Sequence, residues 1–195
     1  RSTLFPYTTL FRSRTGYFMT TSTAHAGKVM SHIEYCLQVL WPELDVHAVS
    51  VTEQWCAIAI AGPKSRTVVE QVLGVDLHNE ALPYLGARTI QFKDQQARIL
   101  RVSFSGERAY ELYVPARLGP IVWQQLLEAG RPAGLTPYGT DALTVLRVEK
   151  GHAAGSEIDG RTTPADLGLG KFCSTDKHYI GRRLSERVEI GRAHV

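Results

Sequence analysis

Seven uncharged residues, WCAIAIA, run from Trp55 to Ala61 and stop at Gly62-Pro63. The run is too short for a membrane span and reads as a β-strand, and its near-continuous apolar character predicts a place in the centre of a sheet. Proline suits the first turn of a helix, and the spacing in KSRTVVEQVL predicts a short helix stopped by Gly74. A strand that turns straight into an amphipathic helix asks for a sheet with a helix laid on it.

The rest of the pattern extends this picture. Tyr17–Thr21 is β-prone; Ser22 or Thr23 offers a cap for a helix carrying Val29, Ile33, Leu37 and Leu40 at helical spacing, which Trp41-Pro42 ends. Residues 46–52 read as a further strand. Residues 89–93, 97–104 and 109–114 form a meander joined at Asp94-Gln95 and at Ser105-Gly106-Glu107-Arg108. A helix is expected from 118 to 129, ending at Gly130, and another in GTDALTVLRVEKG, capped by Thr140 or Asp141 and closed by Gly151. Residues 152–170 are rich in glycine and turn formers. Antiparallel hairpins among irregularly placed helices make the fold class α+β.

The two ends stand apart from this pattern. Residues 1–13, RSTLFPYTTLFRS, translate without mismatch from a stretch resembling a widely used sequencing adapter, and residues 189–195, EIGRAHV, resemble the start of the opposite-end adapter. Both are expected to be non-native and are set aside from fold reasoning, leaving residues 14–188. Removing Arg1, Arg12, Arg192 and Glu189 lowers the net charge from +3 to +1. The basic hint of a nucleic-acid partner then goes, and no nucleic acid is expected. No apolar run reaches the roughly 18 residues a membrane span needs, so no membrane partner is expected either. With 44% hydrophobic residues the chain can bury a sizeable core. Cys36, Cys56 and Cys173 are scattered with no close pair, which gives no basis for a zinc site or disulfide framework and favours a reducing, cytoplasmic setting. The histidines show no metal-ligand spacing, and no metal is expected.

Chemistry concentrates in RVSFSGERAYELYVP, residues 101–115. The strand period of two places Ala109, Glu111 and Tyr113 on one face and Tyr110, Leu112 and Val114 on the other. Glu111 thus sits in mid-strand among apolar and aromatic neighbours, where a buried carboxylate must pair with a cation, accept hydrogen bonds or face water. From pattern alone the plainer account is an exposed or salt-bridged glutamate.

This stretch, with AIAGPKSR at 59–66, LRVEKG at 146–151 and DGRTTPADLGLGK at 159–171, resembles the aminomethyltransferase (T-protein-like) folate-binding family. Through SVTEQW, SFSGERAYEL, YGTDALTVLRVEKG and YIGRRL the likeness is strongest to its sarcosine oxidase branch, the C-terminal domain of the alpha subunit. The resemblance runs from GYFMTTS to YIGRRL and implies a partial domain at 14–188, whose N-terminal part and C-terminal barrel lie outside it. It implies tetrahydrofolate as the small-molecule ligand, with FAD, FMN and NAD elsewhere in a parent complex of sarcosine oxidase subunits. The one-carbon unit of oxidised sarcosine would be received here to give 5,10-methylenetetrahydrofolate, and these residues alone would be inactive. Glu111 becomes the pterin anchor, since a carboxylate accepts the pterin's parallel exocyclic and ring N–H donors in one plane. Phe104, where relatives commonly carry tyrosine, is expected to stack on the ligand, and Tyr113, on Glu111's face of the strand, is expected to bind it as well. For the carboxylates of the folate tail, Leu143 stands where standalone aminomethyltransferases have an arginine, leaving Arg147, with Arg108 and Arg161, as substitutes. The aspartate that relatives use near the reacting nitrogens belongs to a segment before GYFMTTS, so the catalytic residue is unknown.

Alternatives in the same fold are a glycine cleavage aminomethyltransferase, which Leu143 disfavours, a dimethylglycine oxidase or dehydrogenase domain, and a noncatalytic folate-dependent iron–sulfur maintenance protein. The last is disfavoured because DKHYIGRRL lacks the expected cysteine. GSEIDGRT at 155–162 and LGLGK at 167–171 mimic phosphate loops without the flanking elements such loops need.

Overall fold

A computed structural model describes residues 8–13, 16–154, 157–158 and 162–185. The chain divides into two compact units, the larger ending at His152 and the smaller comprising residues 153–195 with Arg1.

In the larger unit a hairpin pairs β1 (Thr8–Arg12) with β2 (Tyr17–Thr21), Phe11 lying opposite Phe18. The adapter-like stretch set aside from fold reasoning therefore supplies a strand. Helix α1 (Ala26–Tyr35) follows, preceded by a 3-10 turn at Thr23–His25 and prolonged by a π-helical turn at Cys36–Leu40. Ser22 does not cap it: its hydroxyl bonds the His25 ring at 2.8 Å instead.

A four-stranded antiparallel sheet has the order β3 (Trp55–Ala61), β6 (Ala109–Pro115), β5 (Gln95–Leu100), β4 (Ala87–Phe92). The meander is present as expected, but its turn is the two-residue Lys93-Asp94, both left-handed (φ 47° and 58°), and β5 stops at Leu100 rather than at 104. Strand β3 lies at an edge of the sheet, not its centre. Its apolar run is explained by burial of Ile58 and Ile60 on one face only; Ala57 and Ala59 are exposed and apolar merely by being small. Residues 46–52 form no strand: they have no partner strand in the sheet, and Val46 and Val49 are exposed.

Helices α2 (Ser65–Leu73) and α3 (Gly119–Gly130) cover one sheet face. Val68, Val69 and Leu73 from α2, and Val122 and Leu126 from α3, pack on Ile58, Ile60, Tyr110, Leu112, Val114 and Ile99. Gly74 ends α2 with φ 64°, a conformation glycine takes without steric cost. The start of α2 is pinned to β6 where Ser65 Oγ and the Gly62 N–H both donate to the Arg108 carbonyl. Helix α4 (Thr140–Lys150) ends at Gly151 as predicted, but Gly139 is its N-cap and neither Thr140 nor Asp141 makes a capping bond.

The opposite sheet face holds a second apolar cluster of Leu100, Val102 and Tyr113 with Phe11, Phe18, Trp55 and Leu85 around it. In the smaller unit Thr163 and Asp166 form a bonded turn, and a 3-10 turn spans Gly170–Phe172. No helix among the described residues is long and apolar enough to cross a membrane.

Candidate functional site: a half-buried carboxylate on a sheet face

The alternation read from the sequence holds in β6. Tyr110, Leu112 and Val114 point into the helix-covered core, while Glu111 and Tyr113 share the other face. Across the sheet Glu111 lies opposite Leu100 on β5 and Ala59 on β3, with no charged residue directly beside it. Its carboxylate is half-buried and accepts a hydrogen bond at Oε2 from the Tyr113 hydroxyl, 2.7 Å away. Among the described residues Oε1 receives none, and no cation lies within ion-pair distance of the carboxylate. Loss of solvent pushes the Glu111 carboxyl above its ordinary value, and the bond from Tyr113 only partly opposes this. Tyr113 in turn is pushed up by burial and by the neighbouring carboxylate, with hydrogen bonding from Thr20 on β2 acting in the other direction. The phenol accordingly stays protonated and remains a donor.

Aromatic residues wall this face. Phe18 meets Tyr113 edge-on at 5.5 Å and Trp55 at 5.9 Å. Arg98, directly opposite Tyr113 on β5, lays its guanidinium over the Phe18 ring at 4.3 Å and over Trp55 at 4.4 Å. Burial weakens its hold on the proton, and its Nη1 is buried without a hydrogen-bond partner. Sequence reasoning missed Arg98. Strand alternation puts it on the face of Leu100, but only the register of β5 against β6 brings it to Tyr113.

Phe104 and Arg147 belong to a different group, gathered at His152. The Phe104 carbonyl lies 2.8 Å from His152 Nδ1, the two rings are 5.9 Å apart, and Arg147 Nη1 donates to the His152 carbonyl at 3.0 Å. His152 was passed over because nothing in its sequence neighbourhood signals a contact with residue 104. Arg108 is exposed and Leu143 half-buried; Arg161 lies outside the described residues. Glu70, Asp76 and His78 bring ligand-type atoms within 4.8 Å of one another. These atoms already serve a turn: Glu70 Oε1 accepts from the Leu77 N–H, and Asp76 Oδ1 accepts from the His78 backbone N–H and bonds its ring.

What this sheet face offers chemically is a desolvated carboxylate with one oxygen already oriented and the other open. That arrangement accepts a planar pair of N–H donors in the way a carboxylate accepts a guanidinium.

Comparison with known proteins agrees with this architecture. The model of the GCVT N-terminal domain family matches residues 7–177. The alpha subunit of sarcosine oxidase from Rhizobium meliloti (strain 1021) is 47% identical over 174 residues, 88% of this chain and 18% of that protein. The corresponding subunit from Corynebacterium sp. (strain P-1) is 41% identical over 176 residues, again 18% of its length. The chain thus spans about a fifth of these curated relatives. The solved heterotetrameric sarcosine oxidase from Corynebacterium sp. U-96, in complex with pyrrole 2-carboxylate, shares the fold with a TM-score of 0.50 at 14% identity, over 69% of this chain and 65% of that one. With an α+β antiparallel sheet, a family match over most of its length and relatives of this similarity, the chain belongs to the GCVT N-terminal domain family.

Proposed function

We propose that the chain is part of the folate-binding domain of a sarcosine oxidase alpha subunit, in which tetrahydrofolate receives the one-carbon unit released from oxidised sarcosine. The observation that carries the proposal is Glu111: a half-buried strand carboxylate with Oε1 open and, among the described residues, no neighbouring cation. Leaving such a group unpaired in a dry site is costly, and a ligand bearing two parallel N–H donors removes the cost. A pterin carries that pair in its exocyclic amine and ring N–H. Relatives named as sarcosine oxidase subunits over 88–89% of the chain support this branch of the family. Leu143, at the position of an arginine in standalone aminomethyltransferases, supports it further.

The domain's contribution is positional. Held by its pterin, the folate presents its two reacting amine nitrogens to a one-carbon unit at the oxidation level of formaldehyde; both nitrogens bond to that carbon and one water leaves. Delivery within one enzyme replaces a bimolecular encounter in solution. Arg147 and Arg108 remain the candidates for the tail carboxylates, and Phe104 for contact with the ligand rings. The flavins and the dinucleotide would be held by other parts of such an enzyme.

Calorimetric titration with tetrahydrofolate tests the reading. Replacing Glu111 by glutamine leaves one acceptor and one donor against a donor pair, and affinity is expected to fall by about 1.5–3 kcal/mol. Equal affinity in Glu111→Gln rejects Glu111 as the anchor.

A further inference from the structure

We propose that Tyr113 is a positioning residue for the site: its hydroxyl holds the Glu111 carboxylate ionised and in plane, and the phenol itself does not touch the ligand. The inference rests on the folate reading for its ligand, though not for its geometry. Tyr113 and Glu111 are two residues apart on one face of β6, and the 2.7 Å bond to Oε2 fixes the carboxylate's rotation. With Oε2 engaged, Oε1 and the remaining lone pair of Oε2 face a ligand together.

The neighbouring groups leave this task to Tyr113. On β5, Leu100 faces Glu111 directly, and the one charged side chain on that face, Arg98, is committed to the Phe18 and Trp55 rings rather than to the carboxylate. On β3 the facing residue is Ala59, and β2 contributes Phe18, whose ring meets that of Tyr113 edge-on. Among the described residues the phenol is therefore the one donor to a carboxylate that burial drives toward its neutral form. A protonated Glu111 would offer a donor where the ligand also offers donors, and binding would fail. The hydroxyl extends the ionised, binding-competent state to lower pH.

Two measurements on the full chain decide this. The first follows the Glu111 side-chain carboxyl carbon by NMR across pH in the parent and in Tyr113→Phe. The second follows the affinity for 5-formyltetrahydrofolate across the same range. In Tyr113→Phe the Glu111 titration moves to higher pH, and the acid limb of the binding curve moves with it. Near the parent's midpoint the affinity drops about tenfold, the worth of one charged hydrogen bond, while at alkaline pH most of it returns. An unmoved Glu111 titration overturns the proposal. So does a loss of affinity equal at every pH, which marks a direct contact or a purely structural role. The Tyr113 ring Cζ carbon, followed by NMR in the parent, serves if Tyr113→Phe does not fold: it is expected to shift at the Glu111 midpoint, and a Cζ signal blind to that titration overturns the proposal as well. Should Glu111→Gln bind as tightly as the parent, Glu111 is not the pterin anchor, and should the parent itself not bind, the folate reading fails; in either case the NMR titration still judges the Tyr113 bond.

Discussion

Glu111 carries opposing demands on binding and on stability. Its pKa in the folded chain is raised by burial above the ordinary glutamate value of 4.5. The folded state therefore binds its proton more tightly than the unfolded chain does. The stability this gives is fully present below about pH 4.5 and is lost as pH rises through the folded value. Without ligand, Glu111→Gln is accordingly expected to melt higher than the parent at pH 8, the gap closing toward pH 4.5; thermal unfolding followed by circular dichroism across pH measures it. A parent that matches the variant at every pH would mean the carboxylate is well solvated. At this scale the sequence was legible wherever one strand's alternation suffices. Glu111 and Tyr113 on one face, opposite Tyr110, Leu112 and Val114, follow from a period of two. The Arg98 sandwich and the Phe104–His152 contact were not legible, because each joins residues whose proximity depends on strand register or on chain 48 residues away.

Elements show the same division between local and long-range causes. Helices α2 and α4 were readable from apolar spacing and from Gly74 and Gly151, since stopping a helix is a local matter; α3 was readable from its spacing, but Gly130 keeps right-handed helical geometry and the chain runs on through a 3-10 turn at Arg131–Ala133 to left-handed Gly134. Strand β3 was readable as a strand but not in its place: a continuous apolar run signals a central strand only if both faces are buried, and here the second face is lined with alanines. Residues 46–52 carry strand composition without a partner to pair with. The contact between β3 and α3 is close enough to test. A methyl group on Gly119, at the start of α3, would come within 2.6 Å of Cys56 Sγ and 2.9 Å of its Cβ. Gly119→Ala is expected to cost about 1–3 kcal/mol in urea unfolding, as an overpacked core position does. Cys56→Ala in the same chain recovers part of the loss by removing the sulfur and leaving the Cβ contact. A neutral Gly119→Ala would show that α3 shifts freely on the sheet.

For the whole molecule, the antiparallel α+β architecture was legible because its hairpins and helices are separately legible, and the family because four short motifs occur in order. The sarcosine oxidase alpha subunits that it matches are about five times longer than this chain. If the sarcosine oxidase reading is right, the gene from which this chain derives encodes a glycine-rich dinucleotide-binding fingerprint upstream in the same reading frame; sequencing it would show this, and a gene encoding a transferase alone would contradict it. The account as a whole depends on what the Glu111 carboxylate holds. A crystal structure with 5-formyltetrahydrofolate bound is expected to place both carboxylate oxygens about 3 Å from the pterin's exocyclic amine and ring N–H, with Tyr113 still bonded to Oε2. A folate seated elsewhere, with Glu111 bonded only to protein or water, would contradict it.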